Sequence, residues 1–528
     1  MNQIDPSMSL ASPGAHYTLN AQQKIGAALS AIGLLVLLVA FLNIRLPNTT
    51  LFLWLSMLGI GVGTIIFASG SYLNLPEGIK NNGVWLRSFT NKGLWAWVSG
   101  IVITGFYVLL YWYPQYLGLN GEGDNGGMIA LFDPLSRFLS GNPASQWFMY
   151  GTLYTVLIFF MGIKFIWKYR HNRYQILRTI SVMFFQTGFA FIIPELLARL
   201  NGDWPYNDFK NMWPLNYYFF DGYRIEGYTA SSFGLFMLIF GVAMIFLISP
   251  ALTYFYGKRW YCSWVCGCGG LAETAGDPFR QLSDKSLKAW QVERWLIHAV
   301  LAFSVIMTVG VIYGYLHNHP DGYWVTKEVF MGMVFVLLAG LGLVLWFRPN
   351  YVKSLSKQTK YIISGILGAI VLFTLLAYVT GNSNVFFIGN YQLRSWYGFF
   401  IGAAFSGVVG VGFYPLMGSR VWCRFGCPMA AILGIQQRFF SRFRITTNGS
   451  QCISCGNCST YCEMGIDVRS YAQKGQDIVR ASCVGCGICA AVCPRGVLRL
   501  ENGSTDISTR TTDLRAIHVT AEEIKLEM

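Results

Sequence analysis

The chain has 528 residues, of which 54% are hydrophobic, 16% are aromatic and only 12% are charged, and its mean hydropathy is +0.43. Soluble globular proteins carry about 25% charged residues, so this composition excludes a wholly soluble multidomain protein and predicts that most of the surface faces lipid. The net charge of +14 would suit a nucleic-acid-binding protein, but no soluble basic face with interleaved aromatic residues is present, and no nucleic-acid partner is expected.

Membrane-spanning helices need about 20 mostly apolar residues. Residues 1–23 are polar and lack the features of a cleavable signal peptide, so they are predicted to form a cytoplasmic tail. The sequence predicts an all-α polytopic membrane protein with about ten transmembrane helices, at residues 25–43, 51–72, 93–113, 147–167, 178–198, 229–256, 294–316, 328–347, 361–380 and 396–416.

The distribution of Lys and Arg among the loops predicts the orientation of these helices. One set of alternate loops and helix ends is strongly basic and includes Lys164, Lys168, Arg173, Arg178 and Arg280. Both termini are therefore expected in the cytoplasm, and the protein is expected in the inner (cytoplasmic) membrane. Of the long outer loops, residues 201–228 are rich in aromatic side chains, which favours an interfacial belt, with a docking surface as the alternative.

All thirteen cysteines fall in local groups on the predicted cytoplasmic side. Disulfide bonds belong to oxidising compartments, so metal ligation is the preferred interpretation. The groups are Cys262, Cys266 and Cys268; Cys423 and Cys427; Cys452, Cys455, Cys458 and Cys462; and Cys483, Cys486, Cys489 and Cys493.

The last two groups share the spacing C-x2-C-x2-C-x3-C within a predicted α+β domain at 445–500. This is the spacing of bacterial two-cluster ferredoxins, in which the fourth cysteine of each motif ligates the other cluster. One [4Fe–4S] cluster is thus assigned to Cys452, Cys455, Cys458 and Cys493. The second is assigned to Cys483, Cys486, Cys489 and Cys462. Pro494 follows the last cysteine as the pattern prefers, whereas Glu463 follows Cys462; a zinc ribbon is the alternative.

The first two groups belong to an internal repeat. The sequence GKRWYCSWVC ending at Cys266 aligns with GSRVWCRFGC ending at Cys427, and each copy follows a predicted helix. Two C-x3-C turns could supply four thiolates, those of Cys262, Cys266, Cys423 and Cys427, to a third metal site. The alternative is a pair of structural turns with inert thiols. Cys268 is unmatched and is a further candidate ligand.

With these turns and the following ferredoxin motifs, residues 229–500 resemble the membrane-bound polyferredoxins of the NosR/NapH type and the related accessory protein CcoG. The resemblance implies electron transfer between the quinone pool, cytoplasmic clusters and a partner redox enzyme, or, for the CcoG branch, reduction of a metal such as copper for cofactor assembly. The chain departs from the family pattern at Gly267-Cys268, since in the family the second cysteine of the turn is usually followed by proline.

These features divide the chain into a tail (1–23), two five-helix membrane regions (24–228 and 229–430), the ferredoxin-like domain (445–500) and a C-terminal tail (501–528). Only His298 lies within a membrane segment and no C-x-x-C-H motif occurs, so no haem is expected. No nucleotide-binding motif is found. Glu195 lies in the fifth helix and is a candidate for proton or quinone chemistry, although Arg199 at i+4 could simply neutralise it.

The leading hypothesis is a membrane-bound iron–sulfur protein that relays electrons between the quinone pool or a cytoplasmic donor and a partner enzyme. It would be an electron-transfer component of an oxidoreductase system and not a stand-alone enzyme. Metal reduction for the assembly of a respiratory enzyme, and redox-driven ion transport, are the alternatives.

Overall fold

The computed structural model describes residues 19–44, 46–73, 90–121, 124–201, 205–320, 325–347, 357–385, 387–448, 451–503, 517–519 and 524–526. Within these ranges, nine helices are long and apolar enough to cross a membrane. They are α1 (Ala21–Phe41), α2 (Thr49–Tyr72), α3 (Leu94–Trp112), α4 (Gln146–Lys168), α5 (Arg173–Leu200), α6 (Ser232–Tyr256), α7 (Leu287–Asn318), α8 (Lys327–Phe347) and α9 (Lys357–Val379). The prediction of a helical polytopic membrane protein is confirmed.

The tenth predicted segment, 396–416, is helical but interrupted. Its helix, α10, is α-helical over Asn390–Tyr397 and π-helical over Gly398–Val409, and the chain then turns before the short helix Tyr414–Met417. The π-helical form also occurs inside α5, at Phe185–Ile192, and inside α6, at Met244–Ile248. Residues of all three π-helical stretches pack in the core that contains the cysteine turns. This agrees with the tendency of the rare π turns to occur at functional sites.

Several membrane helices begin at polar N-caps, and they pack closely where glycine allows it. Side-chain oxygens of Asn20 and Asn48 accept hydrogen bonds from the first turns of α1 and α2. These two helices approach each other at Gly33, where a Cβ atom would lie 2.7 Å from the carbonyl oxygen of Ser56. Such contact between small residues is typical of helix association in membranes.

The connections carry short helices. Before α6 they are Pro114–Leu117, Gly127–Ala130, Asp133–Leu139, Phe209–Asn211 and Gly222–Thr229. After α6 they are Arg259–Cys262, Gly267–Thr274, Asp277–Leu282 and, after α10 and Tyr414–Met417, the π turn Trp422–Gly426.

The aromatic segment predicted as an outer loop folds back into the bundle instead of lying only at its rim. The Tyr261 hydroxyl donates to the carbonyl of Lys210, and Met212 is buried in the same core as the turn cysteines. Phe209 packs against Phe185 within α5, with ring centroids 5.4 Å apart. The aromatic side chains therefore pack partly against protein, and the segment reaches the first cysteine turn.

The C-terminal module follows α11 (Pro428–Phe440) without a long linker. Strands β1 (Phe443–Thr447) and β2 (Leu498–Asn502) pair antiparallel, and the short helices Asn457–Thr460, Val468–Gln473 and Ile488–Ala491 lie between them. A second antiparallel pair joins β3 (Ile517–Val519) to β4 (Ile524–Leu526). The largest hydrophobic core of the described chain contains residues of both the module and the cysteine turns, so the module packs directly on the membrane domain.

Candidate iron–sulfur sites

The first predicted ferredoxin site is a cavity in the module surface. Its walls include the four thiols assigned to one cluster, three from the first motif and one from the second: Cys452, Cys455, Cys458 and Cys493. The loop turns at Gly456, which has φ +81° and opens the helix that carries Cys458. The structure thus brings together the ligand set that the spacing predicts, and four thiols around one cavity suit an iron–sulfur cluster.

The second predicted set lies deeper in the molecule. Burial raises the pKa of Cys462 to about 11, and the neighbouring Cys483 thiol adds to that rise. Burial, followed by the Cys483 and Cys462 thiols, raises the pKa of Cys489 well above its usual value. The fourth cysteine of the first motif therefore lies with the second motif, as the crossed ligation pattern requires.

The two C-x3-C turns also converge. Cys262, Cys266, Cys423 and Cys427 are all buried within one core. Burial raises the pKa of Cys262 to about 12, and the Cys266 and Cys423 thiols contribute to the rise. The pKa of Cys427 is raised by burial and then by Cys423, Cys262 and Cys266. Thiols from both repeats are consequently close enough to interact electrostatically.

Each turn places its second cysteine at the start of a helix. Cys266 is the N-cap of Gly267–Thr274, and Cys427 is the N-cap of α11, where its Sγ accepts a hydrogen bond from the amide of Ala430 at 3.4 Å. A helix N-terminus stabilises a thiolate. The repeat thus presents two of the four thiols in a form suited to metal ligation.

The missing proline of the first turn has a steric explanation. A Cβ atom on Gly267 would lie 2.7 Å from Oε1 of Gln186 and 2.8 Å from Nζ of Lys210. These two side chains are hydrogen-bonded to each other at 2.9 Å. The unmatched Cys268 interacts with Cys266, and their hydrogen bond is the main cause that lowers the pKa of Cys266 to about 6.

An ion-pair network that motif analysis missed lies beside the turns. The carboxylate of Glu273 lies 2.5–2.6 Å from the guanidiniums of Arg178, Arg280 and Arg420. Burial by itself would raise the pKa of Glu273. The three guanidiniums outweigh burial and hold the pKa of Glu273 well below its usual range. Among the described residues, the ion pairs of this network join the acids Glu273, Asp277 and Glu463 to the bases Lys164, Lys168, Arg178, Arg280 and Arg420.

In these ion pairs of the described residues, five basic side chains meet three acidic ones, so positive charge predominates among the paired side chains beside the turns. Nη1 of Arg420 lies 3.6 Å from Sγ of Cys423. Buried positive charge is costly unless negative charge compensates it. Metal-bound thiolates would supply that compensation, so the surroundings of the turns fit an anionic cluster.

Glu195 lies apart from the cysteines. Its segment of α5 packs against the helix Asp133–Leu139, and the guanidinium of Arg199 donates to the carbonyl of Phe138. Within the described chain, no ion pair joins Glu195 to Arg199. His298 is exposed on α7, and its Nδ1 lies 2.6 Å from the carbonyl of Arg294.

Comparisons with known proteins agree with these sites. Residues 451–498 match a family model described as a 4Fe-4S dicluster domain, and residues 236–286 and 398–446 both match one described as a 4Fe-4S binding domain. A 54-residue stretch is 37% identical to YccM of Escherichia coli (strain K12), provisionally named an electron transport protein, and covers 10% of this chain and 15% of that relative. No solved structure matches the chain.

The fold and the sites define the class of protein: a helical membrane protein with 4Fe-4S ferredoxin-type domains. The repeat found in the sequence coincides with the doubled 4Fe-4S binding match, since the two matched segments contain the two cysteine turns.

Proposed function

We propose that the protein is a membrane-bound electron-transfer protein of the NosR/NapH/CcoG type that connects a quinol or a soluble donor to a partner redox enzyme. The observation that carries this proposal is the common core shared by the ferredoxin module and the four turn cysteines. Bound [4Fe–4S] clusters are one-electron carriers. The chain would place the cysteine ligands of these clusters one group after another, from the surface of the module to the membrane domain.

The turn cysteines are proposed to hold a third cluster. Their four thiols are buried together, two of them at helix N-termini, and Arg420 supplies positive charge beside Cys423. With this centre the chain would contain about twelve irons, and without it about eight. Iron and sulfide analysis of anaerobically purified protein distinguishes the two values, and fewer than about eight irons would refute the ferredoxin part as well.

The partner protein is proposed to bind over the first ferredoxin site. Ile453 is 54% exposed at the rim of this cavity, and the exposed Arg469 and Arg495 lie on its wall. An apolar patch with flanking arginines suits a partner with an acidic surface, because complementary charge accelerates association. The double variant R469E/R495E should slow reduction by an acidic carrier protein about tenfold at low salt, whereas R444E, on β1, should have little effect. An equal effect of both would exclude this surface.

Electron transfer from quinol to the clusters can be tested on its own. Reconstituted into proteoliposomes under anaerobic conditions, the protein should show quinol-dependent reduction of its clusters, followed by EPR. Cluster oxidation by added copper ions without any reaction with quinol would instead favour a role in metal cofactor assembly.

A further inference from the structure

The two ferredoxin motifs have opposite surroundings. In the first motif, Ile453 and Ser454 are exposed beside the cavity. In the second motif, four consecutive carbonyl groups, at positions 483–486, accept hydrogen bonds of 2.8–2.9 Å from side chains of the membrane domain, in chain order from Gln437, Ser263, Tyr174 and Gln175. The second motif is therefore the membrane-facing part of the module.

Glu463 forms a fully buried contact between the module and the membrane domain. Its Oε2 lies 2.7 Å from Nη1 of Arg280, and its Oε1 lies 2.9 Å from Nε of Arg420. All three side chains are completely inaccessible to solvent. The backbone carbonyl of Glu463 accepts a further hydrogen bond from Ser283 at 2.7 Å. This residue directly follows the ligand Cys462, at the position where the ferredoxin pattern usually has proline.

Arg420 reaches the cysteine turns from the other side of this contact. Its Nη1 lies 3.2 Å from the carbonyl oxygen of Cys262 and 3.6 Å from Sγ of Cys423. One guanidinium thus contacts the first turn, the second turn and the residue after Cys462. A carboxylate and a guanidinium can support such bridging because the planar fork offers several donors in fixed directions.

The internal repeat allows Arg420 to be compared with the equivalent arginine of the first turn. Arg259 occupies the position equivalent to Arg420, but its guanidinium donates to Oδ1 of Asn502 at 2.8 Å and lies over the ring of Phe443. The repeat alone therefore does not explain the contacts of Arg420. Two acidic residues outside the repeat hold Arg420 instead: Glu463, at the proline position of the ferredoxin motif, pairs with its Nε, and Glu273 pairs with its Nη2 at 2.5 Å.

We propose that Glu463 and Arg420 form an electrostatic link that positions the second ferredoxin motif against the two cysteine turns and balances charge between them. Both are positioning residues. This inference rests on the proposed function, since it assigns the second motif, and not the first, to the membrane-facing end of the electron path.

Hydrogen exchange in the full-length holoprotein in nanodiscs tests the positioning role. Both E463Q and R420Q should increase amide exchange at residues 483–486 at least tenfold and leave residues 452–455 unchanged. The conservative variants E463D and R420K should restore part of the protection. The control R394Q, which removes the ion pair between α10 and Asp221, should not change exchange at 483–486. Unchanged exchange in both link variants, or an equal increase in both motifs, would overturn the proposal.

Reduction potentials, measured by EPR-monitored titration, test the charge-balancing role. Removing positive charge in R420Q disfavours the more negative reduced state and should lower the potential of the centre at the turns. Removing negative charge in E463Q should raise the potential of the centre that includes Cys462. Shifts in the same direction would indicate loosening without charge balance and overturn this part. A wild-type protein without iron would instead refute the proposed function. The same exchange comparison, made on the iron-free full-length protein and its variants, would then judge the link.

Discussion

The two C-x3-C turns share a sequence but differ in their neighbours. In the first turn, Cys266 is followed by a glycine that faces Lys210 and Gln186, and the repeat arginine points to the edge of the module. In the second turn, Cys427 is followed by proline at the start of α11, and the repeat arginine joins the buried ion network. The repeat therefore determines where the thiols lie, whereas residues outside it determine what each repeat arginine contacts.

The cysteines themselves give the strongest test of this comparison. If the repeat defines a third site, C266S and C427S should each lose about four of about twelve irons. The unmatched Cys268 has no counterpart after Cys427, so C268S should retain its iron. Iron analysis combined with EPR measures all three variants. A loss in C268S as large as that in C266S would mean that the site is not built from the repeat.

The acidic residues beside the two turns, Glu273 and Glu293, differ in how many guanidiniums they pair with. Glu273, which follows the first turn, pairs with three buried guanidiniums, so E273Q should lower the free energy of unfolding by about 3–5 kcal/mol. Within the part of the chain that the structure describes, Glu293 forms an ion pair only with Arg424, in the second turn, at 2.7 Å, so E293Q should cost less. Denaturant titration in micelles compares them, and a greater loss in E293Q would contradict the central place of Glu273.

Substitution of the residue that follows the second cysteine of each turn should have the smallest effect on the free energy of unfolding. In G267A, the new methyl group would separate Lys210 from Gln186 and cost about 1 kcal/mol, the usual value of one hydrogen bond. The equivalent P428A change leaves the α11 N-cap in place and should alter stability less. If P428A is the more damaging variant in the same unfolding assay, the steric account of Gly267 is wrong.

The helices and the ligand groups were accessible to sequence reasoning because their signals are local. Long apolar runs predict helices, and three-residue cysteine spacings predict a cluster loop, whatever the rest of the chain does. The interruption of α10 was not predicted, since a hydropathy window cannot separate an α-helix from π turns followed by a bend at 410–413.

The buried network could not be predicted because its partners are distant in sequence. Lys168, Arg178 and Arg280 were interpreted as loop charges that set membrane orientation, yet they lie buried beside Glu273 and Asp277. Composition and spacing do not reveal whether a charge faces water or an opposite charge. The aromatic segment 205–221 shows the same limit, because hydropathy does not distinguish a membrane interface from a protein interior.

The link at Glu463 also has a consequence for biosynthesis. Glu463 lies 183 residues after Arg280 and 43 residues after Arg420. Until the ribosome has made the ferredoxin module, these two arginines lack one of their acidic partners, and the membrane domain holds an unbalanced positive interior. In a chain truncated before the module, Arg280 and Arg420 would keep only their acidic partners within the membrane domain, Glu273 and Asp277.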